Sequence, residues 1–303
     1  MARTAVLVTD VLEQDAKDAL SGLRIVGRDD AAEFSGCEGL LCWPWRGTSE
    51  LLSKLPGLRM VQTFSAGVDG LDFRALPPGV QVFSNAGAYT DSVAEHAWGL
   101  LLGAAKGVYL RNQKTVPRRL RGKTLLVLGC GSIGSEVARL SKSLGMKTVG
   151  VSRTFRSPEQ FDNKYPLSSL AEVIQAADAM VMALPLSNTT RGVVDYRILA
   201  KAKKTAIVVN VGRGDSVKEK GLIRWLKERP ESRYATDVFW AKKGRESFST
   251  DAWDLPNFSG TLHSSGAPLG ETLSGAKLAA AQNVKRFFET GKALNRIDIS
   301  EYH

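Results

Sequence analysis

The sequence predicts an α/β protein built on parallel sheets covered on both faces, and three observations carry that prediction. Short apolar runs alternate with helix-like stretches along nearly the whole chain, the pattern of parallel strands joined by crossover helices. From Lys123 to Arg153 the chain reads KTLLVLGCGSIGSEVARLSKSLGMKTVGVSR: a strand pattern, a glycine turn, a helix pattern with Val137, Leu140 and Leu144 at spacings of three and four, and a second strand pattern. That is the order and length of one βαβ unit. The third observation is composition: 303 residues, 43% hydrophobic and 24% charged, read as an ordinary globular chain with room for two domains.

The glycine turn is the most informative stretch. Gly129, Gly131 and Gly134 form G-x-G-x-x-G between a strand and a helix. In that setting the first glycine makes the tight turn, the second lets backbone approach a pyrophosphate, and the third lets helix pack on strand. The helix start at Ser132 and Ile133 offers N–H groups and a positive dipole end. A doubly wound sheet of the Rossmann type, binding a dinucleotide, is expected. A site for NAD ends its second strand with an acidic residue that holds the ribose hydroxyls. Here that place reads Ser152-Arg153-Thr154, with Arg156 close behind. A hydroxyl and a guanidinium suit a 2′-phosphate, so NADP(H) is expected in preference to NAD(H).

Charge and cysteine content exclude several classes. Forty-one basic against 31 acidic residues give +10, a surface that favours anionic ligands. The basic residues are scattered, as on solvated faces, and no nucleic-acid partner is expected. Cys37, Cys42 and Cys130 show no metal spacing, and an odd small number suits a reducing cytoplasm; no metal site is expected. The chain starts directly on a strand pattern, with no leader expected, and no apolar run approaches a membrane span.

In chain order, Ala5 to Val8 reads as a strand, followed by an amphipathic stretch with Val11, Leu12, Ala16 and Leu20. Leu23 to Val26 and Gly39 to Cys42 are further short runs, Ser49 to Leu55 is a helix stopped at Pro56-Gly57, and Leu58 to Phe64 and Val80 to Phe83 complete the first domain. Two strand ends there are pocket-wall candidates, since ligands of open α/β sheets bind beyond the carboxyl ends of strands. Ser65-Ala66-Gly67 turns on small residues and can present backbone N–H groups to an anion. Trp43 and Arg46 place an indole and a guanidinium beyond another strand.

A long helix is expected over Thr90 to Leu110, with Ser92 and Glu95 in capping-box spacing and Val93, Ala97, Leu100, Leu101 and Ala104 on one apolar stripe. His96 within it reads as a packed core or interface histidine. After the basic connector to Arg121, the βαβ unit opens, and the alternation then continues. Strands are expected at Ala179 to Leu184, before Pro185, at Ala206 to Val211, before Gly212, and at Tyr234 to Val238. Helices are expected at Leu170 to Ala176, Tyr196 to Ala202 and Lys220 to Lys227. An extended run from Phe258 to Leu262 and a last helix over Glu271 to Thr290 finish the chain. Arg213, Asp237 and His263 each stand just past a separate strand end. His263, in a loop of serine and glycine, is best placed for proton transfer near neutral pH.

With these segments in hand the chain resembles the D-isomer-specific 2-hydroxyacid dehydrogenases, the family of glyoxylate/hydroxypyruvate, glycerate and phosphoglycerate enzymes. FSAGVD at 64–69, SVAEHAWGLLL at 92–102, GCGSIG at 129–134, LPLSNTTRG at 184–192, NVGRGDSV at 210–217, TDVF at 236–239 and LHSSG at 262–266 carry the resemblance, in order and over nearly the whole chain. It implies a Rossmann domain, 89–270, inserted into a flavodoxin-like substrate domain, 1–88 plus 271–303, and a homodimer formed through the dinucleotide domain. It implies that Arg213 binds the substrate carboxylate and polarises the 2-oxo group, that His263 donates the proton, and that Ala66 and Gly67 hold the carboxylate. Asp237 would contact the nicotinamide side of the cofactor; Leu184, Pro185, Val211, Gly212, Ser265 and Gly266 would line the cofactor. The substrate would be a small 2-oxo or 2-hydroxy acid, of the glyoxylate or hydroxypyruvate/glycerate class.

One departure stands out. The family usually places a Glu five residues after the strand-end Asp as partner of the catalytic His; here that position is Lys242, which beside His263 would disfavour an imidazolium. Either the loop is re-threaded so that Glu246 takes the carboxylate role, or the pair is absent and the enzyme slow or retuned in pH. Lys242 also keeps open a second class, a non-catalytic dinucleotide-sensing module that contacts a partner protein.

Overall fold

The computed structural model describes residues 3–44, 48–108, 116–266 and 271–302. Its internal contacts divide the chain into two units, Met1–Tyr89 with Pro268–His303, and Thr90–Ala267.

In the first unit the strands β1 (Ala5–Val8), β2 (Arg24–Val26), β3 (Cys37–Cys42), β4 (Met60–Thr63) and β5 (Gln81–Phe83) form a parallel sheet in the order β2-β1-β3-β4-β5. That is the flavodoxin-like order. Strand β1 explains why both faces are covered. Successive side chains alternate: Ala5 and Leu7 enter one buried cluster with Leu40 and Leu52, while Val6 and Val8 enter another with Leu12, Ala280 and Val284. The helices α1 (Gln14–Ala19) and α2 (Thr48–Ser53) and the C-terminal helix Glu271–Thr290 supply those layers. Val11, expected on the apolar stripe of the first helix, is 77% exposed instead. The helix starts three residues later, and Val11 sits in the turn before it, its N–H donating to Asp10 Oδ1 at 2.8 Å.

The second unit opens with α3 (Thr90–Lys106). Its sheet contains β6 (Thr124–Cys130), β7 (Lys147–Phe155), β8 (Asn163–Tyr165), β9 (Ala179–Met182), β10 (Ile207–Asn210), β11 (Arg233–Thr236) and, numbered after the hairpin β12 (Ala241–Lys242) and β13 (Arg245–Glu246), β14 (Phe258–Gly260). Helices α4 (Ser132–Ser143), α5 (Leu170–Val173), α6 (Tyr196–Leu199) and α7 (Glu219–Glu228) cross between strands. The order β14-β11-β10-β9-β6-β7-β8 runs out from β6 in both directions, the doubly wound arrangement whose ligand crevice lies beside the first strand. Trp225, Tyr234, Met182 and Leu222 fill its core.

Three features were not visible as periodicity. None of the residues of edge strand β8 is buried, so no apolar alternation marks it. The β12–β13 hairpin is equally polar. The capping box also does not form: α3 begins at Thr90, so Ser92 lies inside the first turn and its hydroxyl donates to the Ser265 carbonyl at 2.6 Å. The helix ends at Lys106 rather than at the expected Leu110: Gly107, with φ +76°, and Val108 form a turn, and residues 109 and 110, with the first part of the basic connector, lie outside the described residues.

Candidate active site

The glycine turn assigns each glycine a distinct physical task. Gly129 has φ +96°, and a Cβ there would lie 2.8 Å from the Ala183 carbonyl carbon, so this tight turn excludes a side chain. Here β6 and β7 also slip register, between Leu128 and Cys130. A Cβ on Gly134 would fall onto the Gly129 carbonyl oxygen, which lets α4 lie close on β6. At Gly131 an added Cβ would meet no protein atom within 4 Å. Above that opening start the first-turn N–H groups of Ser132 and Ile133, which hydrogen-bond no described residue. A backbone cradle open at Gly131, at the start of a twelve-residue helix with no acidic first turn, fits a pyrophosphate. The residues present therefore fit a dinucleotide.

The neighbouring strand ends close around this turn. A Cβ on Gly212 would lie 2.6 Å from the Leu184 oxygen, so the backbones after β9 and β10 touch. Leu184 and Val211 have buried side chains and Pro185 is exposed; Leu184 borders the turn with its backbone. At the end of β7, Ser152 is half-buried and Arg153 and Thr154 are exposed, with no carboxylate among them.

Arg213 follows β10 between two glycines that allow close packing. Gly212 meets Leu184, and a Cβ on Gly214 would collide with the Phe239 backbone. Asn210, fully buried, ties this turn: its Oδ1 accepts from Gly212 N at 3.1 Å and its Nδ2 donates to the Arg213 carbonyl at 3.0 Å. The Arg213 guanidinium is half-buried and donates from Nη1 to the Gly212 carbonyl at 2.9 Å.

His263 stands past β14, two strands from β10 in the sheet order. Its Nδ1 lies 2.5 Å from Glu246 Oε2, and the other oxygen of that carboxylate accepts from Phe239 N at 2.6 Å. The same Phe239 backbone packs on Gly214 beside Arg213. The carboxylate partner thus comes from the hairpin: β12 and β13 add residues after Asp237 and return Glu246 to the histidine. Lys242, expected beside His263, instead donates to the Ser249 carbonyl and approaches Glu219 at 3.9 Å. In the hairpin register Lys242 pairs with Arg245 and Ala241 with Glu246, so alternation turns Lys242 to the face opposite Glu246.

The backbone of His263 has φ +50°, a left-handed conformation that costs a non-glycine residue about 1–2 kcal/mol. Asp237 maintains it. The His263 N–H donates to the Asp237 carbonyl at 2.8 Å. The Asp237 side chain accepts from Thr261 Oγ1 at 2.6 Å, Ser264 N at 2.9 Å and Ser265 N at 3.0 Å. Burial would raise its pKa, but these hydrogen bonds from Ser265, Thr261 and Ser264 more than offset that and hold the carboxyl below its ordinary value. Asp237, expected on the nicotinamide side of the cofactor, has no exposed surface, and its carboxylate organises the histidine loop. Ser265 is buried, with its N–H given to Asp237 and its carbonyl to Ser92; its neighbour Gly266 is half-buried. His96 also differs from a packed core histidine: its Nε2 lies 2.7 Å from Thr261 Oγ1 and 3.6 Å from Asp237 Oδ1.

The first unit holds the remaining candidates. Ser65 Oγ donates to the Gly67 carbonyl at 2.7 Å, closing a turn in which the N–H groups of Ala66 and Gly67 hydrogen-bond no described residue. Trp43 stands next to it through Phe64, ring centroids 5.4 Å apart, and its indole N–H donates to Asp10 Oδ2 at 2.7 Å. Burial would raise the Asp10 pKa; Trp43, Val11 N–H and Lys277 together lower it. Arg46 lies outside the described residues. Asn210, Thr261, Ser92 and His96 escaped the sequence reading as site residues. Only Asn210 left a local signal, a side-chain amide immediately before a glycine turn.

Comparison with known proteins gives the family of the chain. Residues 80–265 match the family described as D-isomer specific 2-hydroxyacid dehydrogenase, NAD binding domain. A glyoxylate reductase of Aeropyrum pernix is 34% identical over 208 residues, 63% of this chain and 62% of that enzyme's length. A D-isomer specific 2-hydroxyacid dehydrogenase family protein of Aeromonas salmonicida superposes with a TM-score of 0.80 at 28% identity, covering 98% of this chain and all of the other. An NADPH-dependent glyoxylate/hydroxypyruvate reductase of Sinorhizobium meliloti, solved with NADP and malonate, superposes with a TM-score of 0.78 at 25% identity, covering 100% of this chain and 99% of its own. By the match of more than half its length, the chain belongs to the D-isomer specific 2-hydroxyacid dehydrogenase family.

Proposed function

We propose that the protein is an NADP(H)-preferring oxidoreductase that interconverts a small 2-oxo acid and its D-2-hydroxy acid, of the glyoxylate or hydroxypyruvate/glycerate class. The observation that carries this reading is the His263–Glu246 pair at 2.5 Å, with Arg213 past the end of β10 in the same sheet. It also removes the motive for a non-catalytic module, because the histidine has its carboxylate and Lys242 is engaged elsewhere.

The chemistry follows from the donors. A nicotinamide dinucleotide, when bound, supplies the hydride. Arg213 offers a planar fork that matches the carboxylate of a 2-oxo acid and places positive charge where alkoxide character develops. His263 holds its Nδ1 proton toward Glu246, which leaves the Nε2 proton as the one to give to the carbonyl oxygen. Glu246 fixes ring orientation. The Ser65–Gly67 turn, with Trp43 beside it, is assigned to the substrate carboxylate and its substituent. Ser132, Ile133 and the backbones at Leu184, Val211 and Gly212 would hold the dinucleotide, and Ser152, Arg153 and Thr154 would take its 2′-phosphate.

The cofactor preference is supported by the absence of an acidic residue at the end of β7 and by the NADPH-dependent relative. A homodimer through the dinucleotide unit is part of the same reading. Supporting it is a groove of about 720 Å³ in that unit, lined by Leu100, Val108 and Trp253, the last two 74% and 41% exposed. No helix among the described residues is long and apolar enough to cross a membrane.

The experiment is a spectrophotometric screen with glyoxylate, hydroxypyruvate and 3-phosphohydroxypyruvate against NADPH and NADH. The expected outcome is glyoxylate or hydroxypyruvate reduction with kcat/KM about tenfold or more higher for NADPH, and loss of that preference in Arg153→Ala. Tight dinucleotide binding without turnover of any 2-oxo acid would defeat the proposal.

A further inference from the structure

The histidine loop lies at the end of its unit: Ser265 is two residues before the crossing at Ala267, and Ser92 two residues after the crossing at Thr90. Besides Asp237 and Glu246, α3 holds this loop. Ser92 and His96 stand one helical turn apart, on one face of the helix. Ser92 reaches the Ser265 carbonyl at 2.6 Å and His96 reaches Thr261 Oγ1 at 2.7 Å, so the two side chains grip the two ends of the loop that carries His263.

The direction of each hydrogen bond can be assigned. Thr261 has one hydroxyl proton, and it goes to the Asp237 carboxylate at 2.6 Å. In the His96 contact the threonine oxygen is therefore the acceptor and His96 Nε2 carries the hydrogen. The result is a relay of aligned donors, His96 N–H to Thr261 O–H to Asp237, in which each bond polarises the next. Asp237 in turn receives the consecutive N–H groups of Ser264 and Ser265, one on each carboxylate oxygen.

We propose that Ser92 and His96 are positioning residues for His263, acting through Thr261, Asp237 and Ser265 to hold the imidazole in register with Glu246 without touching the substrate. The proposal rests on the reading of His263 as proton donor. It assigns two helix residues outside the strand-end constellation to the efficiency of the chemical step, not to cofactor or substrate affinity.

The test is steady-state reduction of glyoxylate by NADPH with the full chain, together with the Kd for NADPH from fluorescence quenching. A small displacement of a reacting group is enough to lower the rate by one to two orders of magnitude. His96→Leu and Thr261→Val should each lower kcat about tenfold, with KM for glyoxylate and Kd for NADPH within about threefold of wild type. His96→Gln, which restores an N–H donor of similar reach, should recover most of the loss, and Ser92→Ala should lower kcat several-fold. Wild-type kcat in His96→Leu, no recovery in His96→Gln, or a loss that falls on NADPH affinity would overturn the proposal. Should His96→Leu fail to fold, the near-isosteric Thr261→Val and Ser92→Ala decide, and wild-type kcat in both would overturn it. His263→Asn is run in parallel. If it is inactive while His96→Leu is normal, the positioning role alone fails; if it keeps full kcat, the reading of His263 as acid fails and takes this proposal with it.

Discussion

The glycine turn at 129–134 and the histidine loop at 261–265 sit in one sheet and are built on opposite principles. The turn is made of backbone: Gly129 for its positive φ, Gly134 for the closeness of α4 to β6, Gly131 for an opening. Its three glycines and its open N–H groups lie within six consecutive residues. The loop is made of side chains that arrive from α3, from the end of β11, from the hairpin and from the end of β14. The comparison teaches that a backbone cradle is a largely local property of a chain, whereas holding a histidine in register with its carboxylate is a property of its neighbours.

Three sets of variants would break or sharpen that contrast. The largest effect is expected in the loop. His263→Asn should lower kcat by about 10²–10⁴, the usual contribution of a general acid, and Glu246→Gln by roughly tenfold or more with an altered pH–rate profile. An unchanged profile in Glu246→Gln would show that the 2.5 Å contact does not serve catalysis. Next come the glycines, which should separate stability from binding. Gly134→Ala forces a methyl onto the Gly129 carbonyl and should destabilise the unit by about 1–3 kcal/mol in urea unfolding. Gly131→Ala has room for its methyl in the protein and should unfold near wild type while binding NADPH about tenfold more weakly. Equal unfolding midpoints for the two variants would contradict the distinct tasks assigned to these positions.

The smallest effect is in acid. Asp237 is held below its ordinary pKa, so its stabilisation is complete above the unfolded-state value of about 3.9 and is lost as pH falls through the lower folded-state value. Thermal midpoints of wild type and Asp237→Asn should therefore differ most between about pH 5 and 8 and converge below about pH 4. Curves that stay parallel down the acid limb would mean that the carboxylate is not what staples the loop.

Much of the fold was legible because parallel strands buried on both faces leave continuous apolar runs, as in Ala5 to Val8 and Leu125 to Leu128. Edge strand β8 and the hairpin were not, because strands without a buried face carry no alternation. The strand-end positions of Arg213, Asp237 and His263 were legible for the same reason as the strands themselves. The role of Asp237 was not: a strand-end aspartate looks the same in sequence whether it faces a ligand or a loop, and here burial and three donors within 3.0 Å turn it to the loop. Ser92 and Glu95 satisfied the spacing of a capping box, yet the helix starts two residues before Ser92, at Thr90.

The residue order by itself determined the α/β class, the turn that cradles a dinucleotide and the absence of an acidic residue at the end of β7, because each depends only on contacts within a few residues. Tertiary structure alone decided that Glu246 rather than Lys242 meets His263, and that His96, Ser92 and Thr261 belong to the same network. Those pairings join residues 17 and 165–173 positions apart, and only the packing of α3 and a four-residue ladder of hairpin pairs on neighbouring strand ends brings them within hydrogen-bonding distance.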